Sequence, residues 1–258
     1  MKLPEGFQTA LEDTLKTARS IEGYLTEREM RFLYLLGACP TARGEVLEIG
    51  SFKGKSTIIL AKASGKVIAV DPLTSPSATD PDLKGKASGM EDFQSNLTMA
   101  GVSDMVEFHR MFSYELAGNW HRKLRLLWID GDHTYKGAKT DFDLFSKFLS
   151  DRAIIALHDV LSFDGPLRVF KEDILLSNRF GPAGLCGTIG WAQYLKDKEQ
   201  ALKYKEEKLN LYLKLSRLIP LVSSEKPLNG LRKLRYKLLR SRIPHSELTP
   251  EKWLKRVL

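Results

Sequence analysis

At 258 residues the chain can bury one full core, and its 43% hydrophobic and 28% charged composition is that of a soluble globular protein. The net charge of +8 is uneven: from Leu195 onward 17 Lys and Arg stand against 7 Asp and Glu, while the rest of the chain carries 23 against 25. The basicity therefore describes the tail and not the main body. No apolar run nears the roughly 18 residues of a membrane span, and no apolar stretch follows Met1–Glu5 as in a secretory signal. Cys39 and Cys186 have neither metal-ligand nor disulfide-framework spacing, so a reducing cytoplasm is the expected compartment.

In chain order, residues 7–19 and 26–38 read as helices, the second opened by a Thr26/Glu29 capping box. Pro40 and Gly44 then punctuate the chain. Short apolar runs follow, separated by helical segments: strands at Val46–Ile49, Lys66–Val70, Met105–His109, Arg125–Ile129 and Ala153–Leu157, with helices at Ser56–Ala63 and Lys136–Leu149. Trp128 and the Phe142, Phe145 and Phe148 face belong to the core. Buried strands alternating with helices predict an α/β fold, a parallel sheet covered on both faces. Residues 72–90, rich in Pro and Gly, break the rhythm and read either as a lid or as an insertion. Gly181–Tyr194 predicts glycine-bounded strands that close the sheet, and beyond it lie two basic helical stretches, 196–218 and 228–242. The expected divisions are N-terminal helices (1–44), a core (45–195) and a basic helical extension (196–258).

The first chemical constellation is VLEIGSFKGKST at the end of the first strand. In an open parallel sheet ligands bind beyond the carboxyl ends of the strands. Gly50 and Gly54 let the backbone turn sharply and approach a ligand, and the helix after them presents unpaired amides. The Gly50-x-x-x-Gly54 spacing is neither the dinucleotide pattern nor a P-loop. Glu48 suits a cationic amino-acid moiety better than a pyrophosphate, and Asp71, ending the second strand, can accept two hydrogen bonds from ribose hydroxyls. The plain alternative is a glycine turn with a solvated acid after each strand.

The runs EIGSFKGKST, AVDP, WIDGDHTYKGAKTDF and ALHDV together resemble the class I S-adenosylmethionine (SAM) dependent methyltransferases, most of all the bacterial branch of macrocin-type and antibiotic-sugar O-methyltransferases. The likeness takes in Gly23-Tyr24-Leu25-Thr26 and covers residues 20–195. It implies a Rossmann-like, doubly wound, seven-stranded and mostly parallel sheet with the last hairpin antiparallel. It also implies SAM as cofactor: Glu48, Gly50, Ser51 and Gly54 around its methionine part, Asp71 on its ribose, Ser113 near its adenine and Asp130 beside it.

A second constellation follows the fourth and fifth strands: Asp130, Asp132 and His133, then His158 and Asp159. Adjacent parallel strands lie about 4.8 Å apart, so these groups can converge. Carboxylates suit Mg²⁺ or another divalent cation, which would lower the pKa of a substrate hydroxyl. In the metal-dependent relatives that the resemblance points to, the positions of Asp130 and Asp159 hold the cation, and His158 stands where they have an acid or amide. That set of Asp130, His158 and Asp159 is the expected metal site. His133 is the candidate general base, with Asp132 orienting it or acting as base itself. The competing reading makes Asp132, His133 and Thr134 turn and capping residues.

In 228–242, Leu231, Leu234 and Leu238 share a face amid Arg and Lys. Such a helix lies on an anionic membrane or an acidic partner, or it packs its leucines on the main domain or a second subunit. No nucleic-acid-reading motif accompanies the charge. The expected function is O-methylation of a small-molecule or sugar hydroxyl. Metal-free transfer to another nucleophile and a non-catalytic SAM-binding scaffold are the alternatives.

Overall fold

The computed structural model describes residues 3–73, 89–223 and 228–258, so most of the 72–90 segment, read as a lid or an insertion, lies outside the described residues. Helices α1 (Phe7–Arg19) and α2 (Glu27–Ala38) lead into β1 (Glu45–Ile49), α3 (Lys55–Ser64), β2 (Val67–Val70), α4 (Met90–Met99), β3 (Val106–His109) and α5 (Ser113–Ala117). Then come β4 (Leu124–Ile129), α6 (Tyr135–Phe145), β5 (Leu149–Leu157), α7 (Asp164–Arg168), β6 (Phe180–Cys186) and β7 (Ile189–Tyr194). Helices α8 (Lys198–Leu202), α9 (Lys205–Ser216), α10 (Ile219–Val222), α11 (Gly230–Ser241) and α12 (Pro250–Val257) complete the described chain.

The seven strands form one sheet in the order β3-β2-β1-β4-β5-β7-β6. The first five are parallel, and β7 runs antiparallel to both β5 and β6. The order reverses between β1 and β4, which makes that junction the topological switch point where open sheets bind ligands. β2 is buried along its whole length, as expected of a strand covered on both faces. One apolar layer, including Leu15, Phe32, Leu33, Ile58 and Phe93, packs on one face of the sheet. The other, including Phe145, Leu167, Phe170 and Leu215, covers the opposite face. Trp128 and Phe145 are fully buried as anticipated.

The predicted strands and early helices lie within a few residues of the observed ones. The tail departs from its reading. The helical stretch expected over 196–218 divides into α8 and α9, with the short α10 after it. α12 was not foreseen at all, yet its Trp253 is fully buried, with its ring edge-on to Phe32 at 5.5 Å and Trp191 at 4.7 Å. In α11 the three leucines do not pack on the domain. Tyr236 and Leu239 do so instead, because the tyrosine ring can bury while its hydroxyl donates to the Leu161 carbonyl at 2.8 Å. No helix among the described residues is long and apolar enough to cross a membrane.

Glu29 ties these parts together. Its capping-box role at α2 is realised: one oxygen accepts from Thr26 N at 2.9 Å and Thr26 Oγ1 at 2.7 Å. The other accepts from Thr188 N at 2.6 Å and Thr188 Oγ1 at 2.7 Å in the β6–β7 turn. Oε2 also lies 3.8 Å from His158 Nε2. A Cβ on Gly187, where φ is +62°, would come within 2.5 Å of the Glu29 carboxylate, so only glycine lets the turn approach. Burial alone would raise the Glu29 pKa, but His158 and the hydroxyl and amide donors hold it far below the ordinary carboxylate range. Glu29→Ala leaves these donors and the His158 cation without their buried partner. Urea unfolding should show a loss of about 3–5 kcal/mol, and a loss below about 1 kcal/mol rules out the keystone role.

Candidate active site

The sheet's hydrogen bonding continues one residue past each strand and sets the site residues in a row. Gly50 N donates to Val70 O, Asp71 N to His109 O, Asp130 N to Ile49 O, and His158 N to Ile129 O. Above this edge opens a cavity of about 970 Å³. Gly50, Ser51 and Asp71 line it at one side, Asp130, His133, His158 and Asp159 at another, and the Gly23–Leu25 segment also contributes to the wall.

At the β1–α3 turn Gly50 has φ +88°, and a Cβ there would meet Asp130 O at 2.2 Å. The glycine is therefore needed for the close approach of β1 to the β4 end as much as for a ligand. Gly54, φ +87°, caps α3 and stays off the cavity wall. Asp71 Oδ2 accepts from Ser51 N at 2.7 Å and Phe52 N at 2.9 Å, and Oδ1 from Leu73 N at 2.8 Å. The carboxylate expected to accept two hydrogen bonds from ribose hydroxyls is thus also engaged with the turn. A carboxylate has about four lone-pair sites, and three are committed to the turn, which leaves room for one further hydroxyl.

Glu48 also differs from its reading. It is fully buried below the cavity wall, accepting at Oε2 from Ser51 Oγ at 3.2 Å and Thr57 Oγ1 at 2.5 Å, while Oε1 has no hydrogen-bond partner among the described residues. Burial pushes its pKa up to about 7, against the pull of the Ser56, Thr57 and Ser51 hydroxyls. Ser113 lines the cavity, but its hydroxyl is given to Asp141, a residue the sequence did not flag. Burial raises the Asp141 pKa to about 6.

Around the other end both histidines lie against the carboxylates of Asp130 and Asp159. His158 is buried beneath the carboxylates, with Nδ1 3.2 Å from Asp130 Oδ1 and 3.3 Å from Asp159 Oδ2. Burial disfavours its charge, but the two acids outweigh that and raise its pKa well above the usual value. His133 Nε2 lies 3.6 Å from Asp130 Oδ1 and 3.7 Å from Asp159 Oδ2. The atoms that could hold a metal are those of Asp130, His133 and Asp159, all within 4.8 Å of one another. This set holds His133 where His158 was expected, while His158 also contacts both acids.

Asp132 does not orient His133. Its oxygens accept from Thr134 N and Thr134 Oγ1, each at 2.9 Å, and Thr134 Oγ1 in turn accepts from Gly137 N at 3.0 Å to cap α6. What orients the imidazole is Phe163, stacked on it at 4.3 Å and 11°. Gly165 lets α7 press against the same backbone, since a Cβ there would meet His133 O at 2.3 Å. No sequence signal marked Phe163, which stands beyond the fifth-strand motif.

Glu48 gives a pH test. An unfolded glutamate ionises above about 4.5, whereas folded Glu48 stays protonated up to about 7, so its burial costs stability as pH rises between these values. Glu48→Gln should therefore melt higher than wild type at pH 8, by at most about 3 kcal/mol, and equal it near pH 4.5. Calorimetric unfolding with no gain at pH 8 refutes the buried-acid assignment.

Residues 47–160 match the family model described as a methyltransferase domain. Among solved structures, the chain is similar to an O-methyltransferase from Bacillus cereus in complex with SAH, at 20% identity over 73% of this chain and 91% of that one, TM-score 0.53. It is also similar to the O-methyltransferase TomG from Streptomyces achromogenes, involved in tomaymycin synthesis and in complex with SAM, at 19% identity over 75% and 91%, TM-score 0.51. A methyltransferase from Geobacter sulfurreducens matches at 18% identity over 76% and 91%, TM-score 0.52. At such identities these likenesses carry the fold. The sheet order and the matched segment together identify residues 47–160 as a methyltransferase domain on the class I fold.

Proposed function

We propose that this chain transfers the methyl group of SAM to a hydroxyl of a small molecule or sugar, as the resemblance to macrocin-type O-methyltransferases suggests. The carrying observation is one cavity with a glycine turn and Asp71 on one side and Asp130, His133 and Asp159 on another. The SAH and SAM complexes of the Bacillus and Streptomyces neighbours support this choice of cofactor. SAM supplies an electrophilic methyl on a sulfonium that is already a good leaving group. The residues of this chain must align the acceptor and take its proton.

The Gly50–Ser51 turn holds the methionine part, Asp71 accepts from one ribose hydroxyl, and Glu48 places a buried acid under the turn. Ser113 and the Phe112–Tyr114 ring pair, stacked at 5.2 Å, border the adenine side. His133 receives the acceptor proton, and Asp130 and Asp159 stabilise the resulting imidazolium. Their charges outweigh burial and hold its pKa above the ordinary histidine value. Asp132 fixes the turn into α6 through Thr134, and Phe163 holds the His133 ring. In this reading residues 45–195 form the catalytic core, with 1–44 and 196–258 supporting it.

A second reading has its own observation. The convergence of Asp130, His133 and Asp159 suits a divalent cation, with the two carboxylates and one imidazole as ligands in place of the expected His158. Such a cation would lower the pKa of the acceptor hydroxyl, and His133 would then be ligand and not base.

Titration calorimetry separates these outcomes. SAM and SAH should each give saturable heat, and silence with both overturns the cofactor assignment. Mn²⁺ or Mg²⁺ should bind wild type at least about ten-fold more tightly than Asp130→Asn if the cluster is a metal site. Cation heats that are absent, or unchanged by the substitution, leave His133 as base.

A further inference from the structure

Helix α11 carries Arg232, Lys233, Arg235, Lys237 and Arg240, followed by Arg242, and no acidic residue occurs between Lys226 and Ser246. One side of it is fastened down by Tyr236 and Leu239 against the core and by the Tyr236–Leu161 hydrogen bond. The other side holds Leu231, Leu234 and Leu238, which are 84%, 64% and 54% exposed. At 3.6 residues per turn these three lie within an arc of about 60°. Exposed Arg235 and Arg242 border one flank of the stripe, and exposed Lys233 and Lys237 the other.

A stripe of leucine between rows of cations is the pattern of a helix lying in a lipid interface, where apolar side chains enter the acyl boundary and cations meet headgroup phosphates. Two other occupants fit less well. A second copy of the same face would oppose these cations to their own copies across a two-fold axis. A nucleic acid would use the charge but leave three leucines in water. We propose that α11 docks this protein on an anionic lipid surface, with Leu231, Leu234 and Leu238 inserted and Arg235, Lys237 and Arg242 on the headgroups. Docking leaves the fold intact, because Tyr236 and Leu239 face away from the stripe. The contact at Leu161 also sets the helix beside Ser162 and Phe163, which line the cavity.

Sedimentation of the full chain with vesicles tests this, independently of any methyltransferase activity. Binding should be at least about ten-fold stronger to phosphatidylcholine mixed with phosphatidylglycerol than to phosphatidylcholine alone, and should weaken with salt. Leu231→Ser/Leu234→Ser/Leu238→Ser should abolish it, as should Arg235→Gln/Lys237→Gln/Arg242→Gln, with melting curves unchanged. The single Leu231→Ser serves if the triple variant misfolds. Wild type remaining in the supernatant overturns the proposal. So does undiminished binding by the leucine variants, which would make the attraction purely electrostatic. Self-association in sedimentation velocity that the leucine variants abolish would assign the face to a second copy instead.

Discussion

Three carboxylates and an imidazole meet at the wall of the cavity, and their mutual charge is the constraint on which the site rests. An isolated buried ion costs several kcal/mol, so none of these groups could sit where it does without the others. His158 lies between Glu29 on one side and Asp130 and Asp159 on the other. The chain of charges links the start of α2, the ends of β4 and β5, and the β6–β7 turn. The elements that position the site are therefore also those that neutralise it. His158 and His133 both border the cavity, His158 held between the carboxylates and His133 stacked on Phe163.

The other half of the cavity depends on backbone geometry. Gly50 brings the end of β1 within reach of the β4 end, and the amides of Ser51 and Phe52 close onto Asp71. Asp71 is thereby fixed by the turn it faces, and its orientation is set before any ligand arrives. Preorganisation of this kind lowers the ordering cost of binding. Glu48 completes the arrangement as an acid whose buried, partnerless oxygen is tolerated because the carboxyl stays protonated up to about neutral pH.

Much of this was legible in the amino-acid sequence. Strand-like apolar runs ending in Glu48-Ile49-Gly50, Asp71, Asp130 and His158 predict the parallel sheet and its functional edge, because a strand covered on both faces must be apolar throughout and ligands meet its carboxyl end. The tail was legible only in part. Its charge and leucine spacing read correctly as helical, but Tyr236 and Trp253 decide how it docks. Those contacts cross the whole chain, from Tyr236 to Leu161 and from Trp253 to Phe32 and Trp191.

What the sequence alone determined, then, is the order and type of the core elements and the row of residues at the strand ends, since both follow from local periodicity and from where glycines and acids interrupt it. Which atoms of those residues face the cavity was decided only by the tertiary structure. His133 and His158 are indistinguishable as histidines after strands. The Phe163 stack on His133 and the contact of His158 with Glu29, 129 positions before it, give the two different surroundings at one cavity. Asp71 is likewise claimed by the amides of Ser51 and Phe52 from a distant segment, which no local pattern encodes, whereas Asp132 is held by the local turn with Thr134 that its sequence neighbours suggest.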